Sequence, residues 1–287
     1  MREEKTESKN PLSSVTISSP TDRWILNKYN ETINAVTSAL DHFAYSVAAQ
    51  SLYSFFWHEF CDWYLEICKI RQKKNDTSFA PILGTVFKGC LLMLHPFMPF
   101  LTEELWHKFH YAPESIMHGD WPKSMTYDKT NIDKIEAMRE LIVGIRNIRA
   151  EMRIDINKKV ECLINIKDKE LSDFLLEPMH QNLIFELAKV ANIKLADKKP
   201  TQSSVFVIKD LEAYVPLAGL IDFDKERTRI TTEIESIRQE LGKINKLLAD
   251  ENFLSKAKSN VIERERERKI NFEDKLTRLE LANEALK

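Results

Sequence analysis

SLYSFFWHEFCDWYLEICK, residues 51–69, decides the fold class. At 100° per residue, Leu52, Phe56, Phe60, Trp63 and Ile67 make one stripe, and Tyr53, Trp57, Cys61, Tyr64 and Cys68 make a second beside it. A helix apolar around so much of its girth must be surrounded by other helices. The same stretch holds His58, Glu59 and Asp62, one letter from the His-Glu-x-x-His pattern in which ligands at i and i+4 share a helix face and the Glu acts as base. A carboxylate can ligate zinc, but a catalytic site needs a third ligand, and no second His-rich segment offers one. The reading is a bundle-core helix with polar residues at its rim, with a metal site at His58, Glu59 and Asp62 as the alternative.

Residues 1–20 upstream are polar, with Pro11, Pro20 and a serine cluster, and read as a tail. Thr21 or Asp22 then caps a helix whose apolar positions Ile25, Tyr29, Ile33, Val36 and Leu40 keep the helical period. Downstream, Phe79, Ile82, Leu83, Val86, Phe87, Cys90, Leu91 and Leu94 predict a third helix, stopped by the prolines of HPFMPF at 96 and 99. Thr102, with Glu103 and Glu104 behind it, caps a short fourth helix through Phe109. After a polar loop containing Gly119, Trp121 and Pro122, Ile132, Ile135, Met138, Ile142, Ile145, Ile148 and Met152 describe a fifth. Residues 21–153 therefore predict an α-helical bundle.

The texture then changes. VECLINI (160–166) alternates, NIKL (192–195) and SVFVIK (204–209) are short strand candidates, and a helix lies around Pro178 to Ala191, so 154–221 predicts a small α+β unit. From Asp222 the pattern is heptad-like: Ile230, Ile234, Ile237, Leu241, Ile244 and Leu248, then Ile262, Phe272, Leu276, Leu279 and Leu286 beyond a polar turn near Glu251 to Asn260. Two such helices predict an antiparallel coiled-coil hairpin over 222–287.

Composition narrows the chemistry. With 44 acidic and 42 basic residues among 287, the net charge is -2, so any RNA contact must come from a local basic face. The four cysteines show no C-x-x-C spacing, and Cys61 and Cys68 stand about 10 Å apart along one helix, too far to bridge. Reduced thiols, a charged start MREEKTESKN with no apolar stretch behind it, and no long apolar run give the expectation of a soluble, cytoplasmic chain with no membrane contact. Six glycines never approach a nucleotide-phosphate loop, and no G-x-S-x-G elbow occurs. That set of absences points to a binding module.

TDRW (21–24), FFWHEFCDWYLEICK (55–69), HPFMPFLTEELW (95–106), RNIRAEM (146–152) and VPLAGLIDFDKE (215–226), in that order and followed by the hairpin, resemble the carboxy-terminal region of valyl-tRNA synthetases. The resemblance runs from about residue 21 to the end. It implies a mainly α protein: the helical-bundle anticodon-binding domain of class I synthetases, a small α+β junction domain, and an antiparallel coiled-coil arm that touches the outer corner of tRNA. The opening stretch is then a packing signature of the central bundle helix. The family's adenylate-forming site depends on His-x-Gly-His and Lys-Met-Ser-Lys-Ser segments. Here MHGD (117–120), PKSM (122–125) and KAKS (256–259) are the nearest strings, and none has the strand-to-helix setting those segments need. The editing domain and the helix that usually opens the anticodon module are also missing. The resemblance thus implies a tRNA-binding piece of a valine–tRNA ligase, inactive alone, with no cofactor of its own. ATP-dependent aminoacylation, with ATP and Mg, belongs to a catalytic domain of the same polypeptide. The implied partner is valine-specific tRNA, not DNA, bound by a monomer. RIDINKK (153–159) replaces the family's proline-containing turn.

On the fifth helix Arg139, Arg146, Arg149 and Arg153 fall within about 80° of one another. Arginine planes stack on unpaired bases and bridge phosphates, so Arg146, Asn147, Arg149 and Arg153 are the candidate anticodon contacts, against the alternative of an ordinary solvated face. In the arm, Lys243, Lys246, Lys256, Lys258, Arg264 and Arg268 are the candidates for the tRNA corner. ERERERK (263–269) also reads as salt-bridge lacing of an exposed helix. A helical protein-interaction module without RNA binding is the rival reading.

Overall fold

The computed structural model describes residues 17–112, 114–209, 211–250, 253 and 259–285. The chain divides into two compact units, Met1–Glu136 and Ala137–Lys287.

The first unit is helical. Helix α1 (Pro20–Asp41) opens with proline in its first turn and Ser19 at the N-cap. Thr21 and Asp22 lie inside the helix and are buried, not capping as the sequence suggested, because Asp22 faces a cation from the interior. That cation is Arg71, whose Nη1 donates to Asp22 Oδ1 at 2.6 Å, while the Tyr64 hydroxyl donates to the same oxygen at 2.7 Å. Arg71 also donates through Nε to Asp76 at 2.7 Å and through Nη2 to Ser78 at 2.9 Å. A buried guanidinium supplied with this many acceptors satisfies the condition under which interior ion pairs persist.

The opening stretch is one continuous helical rod of three parts: α2 (Tyr45–Tyr53), a π-helical segment (Ser54–Leu65) and α3 (Glu66–Lys73). The π segment changes which residues face inward. Leu52, Phe55, Phe60, Trp63, Tyr64, Ile67 and Cys68 are buried, whereas Tyr53 and Trp57, placed in the second stripe by the 100° rule, are 60% and 51% exposed. Hydrogen bonds that reach from i to i+5 lengthen the period, so the interior runs from Phe55 to Phe60 in a step of five.

Helix α4 (Ala80–Leu94) packs closely on α1 at Gly89, where an added Cβ would stand 1.5 Å from the Tyr29 hydroxyl. Helix α5 (Pro99–Lys108) begins three residues before Thr102. That residue is buried, and its hydroxyl returns to the carbonyls of Met98 and Pro99 instead of capping. Leu91, Trp106 and Ile116 form a local core there with Phe87, Leu105 and Tyr111 against it. The polar loop that follows straps α1 through a ladder one helix face wide. Trp121 donates to Thr37 at 2.9 Å, Ser124 Oγ to Asn34 at 3.0 Å and Tyr127 to Asn27 at 3.1 Å. Asn30 exchanges two hydrogen bonds with the Met125 backbone, at 2.7 and 2.9 Å. Helix α6 (Ile132–Glu151) contributes its first turn to this unit, with Glu136 accepting from Trp24 at 2.9 Å and pairing with Lys28 at 2.8 Å.

The second unit contains the rest of α6, then β1 (Val160–Ile166), α7 (Lys169–Leu176), α8 (Pro178–Ala188), β2 (Val190–Leu195), β3 (Ser203–Ile208) and β4 (Leu211–Pro216). The sheet order is β2-β1-β4-β3, with β1 and β2 parallel and the other pairings antiparallel. Helices α7 and α8 form the crossover that a parallel pair requires. Gly144 of α6 touches Phe206 of β3 so closely that a Cβ would lie 2.2 Å from its ring.

The hairpin consists of α9 (Phe223–Ala249), capped by Asp222 accepting from Lys225 N, and α10 (Ser259–Ala285). Ile230, Ile234, Ile237, Leu241 and Ile244 are buried along α9, and Leu279 and Ala282 along α10. Arg238 to Glu280 at 2.6 Å and Lys275 to Glu233 at 2.8 Å cross between the two helices. The fold is thus mainly α, with one small sheet.

Candidate nucleic-acid interface

The four sequence-derived positions at the end of α6 separate in the structure. Arg149 is 8% exposed and points inward, where Nη1 donates to the Lys158 carbonyl at 2.8 Å and Nη2 to that of Asp155 at 2.9 Å. Longer contacts reach the carbonyls of Lys189 and Ile156 at 3.4 Å. Burial pulls its pKa below the ordinary guanidinium value, with the Asp155 charge opposing. Its assignment as a base contact is therefore corrected: both terminal nitrogens are spent on backbone carbonyls, because the turn after α6 needs the guanidinium to satisfy them. Arg146 and Asn147 are exposed, and Arg146 Nε donates to the Leu187 carbonyl at 2.8 Å. Arg153 is exposed at a left-handed φ of 47° in the turn that follows α6. The cationic stripe read from helical spacing breaks there, since α6 ends at Glu151.

On the hairpin Lys243, Lys246, Arg264 and Arg268 are all exposed. Lys243 pairs with Glu240 at 2.5 Å and Arg268 with Glu265 at 2.8 Å, each within its own helix, so lacing accounts for part of this charge. Lys256 and Lys258 lie outside the described residues.

Exposed aromatic rings lie in the first unit, and helical spacing places two of them, Tyr53 and Trp57, in a core stripe. Phe43, Tyr45, Tyr53 and Trp57 are exposed, and the Tyr53 and Trp57 rings are nearly parallel at 3°, with centroids 6.5 Å apart. Exposed aromatic faces in series are what unpaired bases stack on. For Tyr53 and Trp57 the available signal was the uninterrupted apolar girth of residues 51–69, which exceeds what one helix can bury. His58 and Asp62 lie beside this array, 3.5 Å apart and both solvent-facing. Among the described residues no group of three or more His, Cys, Asp or Glu is placed to hold a metal ion.

Residues 22–164 match the family model described as the anticodon-binding domain of tRNA ligase, and residues 222–287 match the valyl tRNA synthetase tRNA binding arm. The chain matches the carboxy-terminal region of valyl-tRNA synthetases. The valine–tRNA ligase of Thermotoga maritima is 36% identical over 263 residues, which is 90% of this chain and 30% of that protein. That of Petrotoga mobilis is 36% identical over 270 residues, covering 90% and 30%. The Aquifex aeolicus enzyme is 35% identical over 279 residues, covering 91% and 24%. The chain therefore spans about 30% of the length of the first two relatives, and the match is to the family's carboxy-terminal region. The arm match begins at Asp222, the residue that caps α9, so the family boundary coincides with the start of the hairpin.

Proposed function

We propose that this chain binds valine tRNA through two surfaces, the helical bundle at the anticodon loop and the hairpin at the outer corner. Aminoacylation with valine, ATP and magnesium is assigned to a catalytic domain of the same polypeptide outside these 287 residues. The observation that carries the reading is the presence, in one chain and in order, of an anticodon-binding domain and a tRNA binding arm. Two physical features support it. The exposed Phe43, Tyr45, Tyr53 and Trp57 suit the splayed bases of a loop, and the exposed Lys243, Lys246, Arg264 and Arg268 suit backbone phosphates. In this reading Arg146 and Asn147 are the α6 residues still able to meet RNA. The protein works as a monomer in the cytoplasm, without membrane or DNA, and delivers the acceptor end by position alone.

Gel shift of the chain against valine tRNA and a non-cognate tRNA tests this. Tighter binding of valine tRNA is expected. Equal affinity for both would remove the specificity claim, and no shift with either would remove the tRNA reading.

A further inference from the structure

The second unit contains a cavity of about 320 Å3 at the root of the hairpin, lined by Glu151 at the end of α6 and Arg153 just after it, Arg229 and Glu233 of α9, and Lys275 and Arg278 of α10. Four cations face two carboxylates. Two of the cations are committed. Arg229 donates to Glu226 at 2.8 Å, to Glu233 at 2.6 Å and to the Glu151 carbonyl at 2.9 Å, and Lys275 pairs with Glu233 at 2.8 Å.

Arg153 and Arg278 differ from these. Both are exposed, and among the described residues neither forms an ion pair; Arg278 Nε reaches only the Asp274 carbonyl, at 3.3 Å. Arg153 is fixed at its backbone by the turn, with its N–H donating to Ala150 at 3.2 Å and that of Ile154 to Arg149 at 2.9 Å. The two acids, Glu151 beside Arg278 and Glu233 in the field of Arg153, offset only part of the charge, since four cations line the recess against two carboxylates. Like charges gathered around a recess raise the local potential and draw an anion in.

We propose that this cavity is an anion site that takes one phosphodiester group of an RNA backbone, bridged between the guanidiniums of Arg153 and Arg278. The proposal rests on the tRNA-binding reading and adds to it a contact at the hairpin root, apart from the cations farther along the arm. Guanidinium groups are suited to the role because their planar donor forks match phosphate oxygens and stay charged at all working pH. It also reassigns Arg153, which leaves the anticodon set and joins the arm.

The test uses the full chain and the double variant Arg153→Asn, Arg278→Gln. Asparagine tolerates the left-handed backbone at 153, and position 278 is on an exposed helical face, so both should fold. With tRNA, the double variant should bind about 5- to 10-fold more weakly near 0.1 M salt, for any tRNA sequence. The slope of log K against log salt should be shallower by about 1, as one lost phosphate contact requires. Arg153→Lys with Arg278→Lys should keep the slope. In a second arm, inorganic phosphate at constant ionic strength should raise the melting temperature of the wild-type chain and not that of the double variant. If wild type binds tRNA and the double variant keeps the same slope and affinity, the RNA site is overturned; a melting shift with phosphate in wild type that is absent from the double variant would then assign the cavity to free phosphate. If wild type binds no tRNA at all, the tRNA reading itself has failed, and the backbone-phosphate proposal falls with it. Should the double variant melt early without phosphate, Arg278→Gln alone carries the test with the same expected direction.

Discussion

Arg149 donates to four backbone carbonyls from one guanidinium, and this decides what its removal does. Arg149→Ala strands buried acceptors, at a cost of about 1–3 kcal/mol, so the denaturant midpoint should fall. Discrimination between valine tRNA and an anticodon-swapped transcript should survive wherever the variant is folded; a loss of discrimination at unchanged stability would return Arg149 to the interface. Trp63 and Trp57 make a second contrast. They are six positions apart on one rod, yet Trp63 is 7% exposed and Trp57 51%. Trp63→Ala should destabilise the bundle by about 3–5 kcal/mol, as large aromatic truncations in cores do. Trp57→Ala should leave melting nearly unchanged and weaken tRNA binding by about 1–3 kcal/mol, the usual loss for one stacked base. Calorimetry and titration on the two variants separate the roles, and equal melting losses would place both rings in the core.

At the scale of elements, legibility followed period. VECLINI became β1 residue for residue because one face is buried and alternation reports it. LEAYVP of β4 carries no alternating signal, since Ala213, Tyr214 and Val215 are buried in succession. Helix α7 escaped because eight residues hold too few turns to set a pattern against its loop. The π segment kept its helical identity in the sequence while its facing was misjudged, because residue type announces a helix but not the hydrogen-bond step. Of the candidate site, the hairpin charges were legible from composition. The fate of Arg149 was not, since the carbonyls it serves, on Asp155, Ile156, Lys158 and Lys189, exist as a group only after the turn and the sheet have formed. The contact between α6 and β3 gives a prediction at this scale. Gly144→Ala drives a methyl into the Phe206 ring and should cost about 1–3 kcal/mol by overpacking. Adding Phe206→Leu should recover part of that loss in urea unfolding. If Gly144→Ala unfolds at the wild-type midpoint, the close approach is not maintained in solution.

For the whole molecule, stability should fall with acid in two stages. His180 is buried against Phe174, to whose carbonyl its Nδ1 is joined at 2.7 Å. Burial lowers its pKa, against the opposing pulls of the Phe174 carbonyl and Glu177. The unfolded chain therefore binds a proton that the folded chain refuses, and stability present above about pH 6.5 declines as the pH falls below that value. His180→Asn should flatten urea midpoints measured between pH 7.5 and 5, and an unchanged slope would exclude this histidine as the cause. The second stage belongs to Asp76. Burial opposes its ionisation, but hydrogen bonds from Arg71 and Ser78 outweigh it and hold the carboxyl at about 2. Its contribution is complete above the ordinary carboxylate range and disappears between about pH 4 and 2. Asp76→Asn should remove that late loss from the acid-unfolding curve. The π-helical segment, finally, bears on how this family can change length. A turn closed from i to i+5 takes in one residue more than an α turn, so Ser54–Leu65 stores spare chain inside a rod whose two ends are fixed, at Leu52 and at the Arg71–Asp22 pair. Deleting the exposed Ser54 lets the segment relax toward α and leaves Arg71 in register. Deleting the exposed Lys69 from α3 rotates Arg71 by about 100° away from Asp22 and should prevent folding. Descendants of this sequence can therefore lose a residue upstream of Glu66, and one lost between Glu66 and Arg71 should be purged.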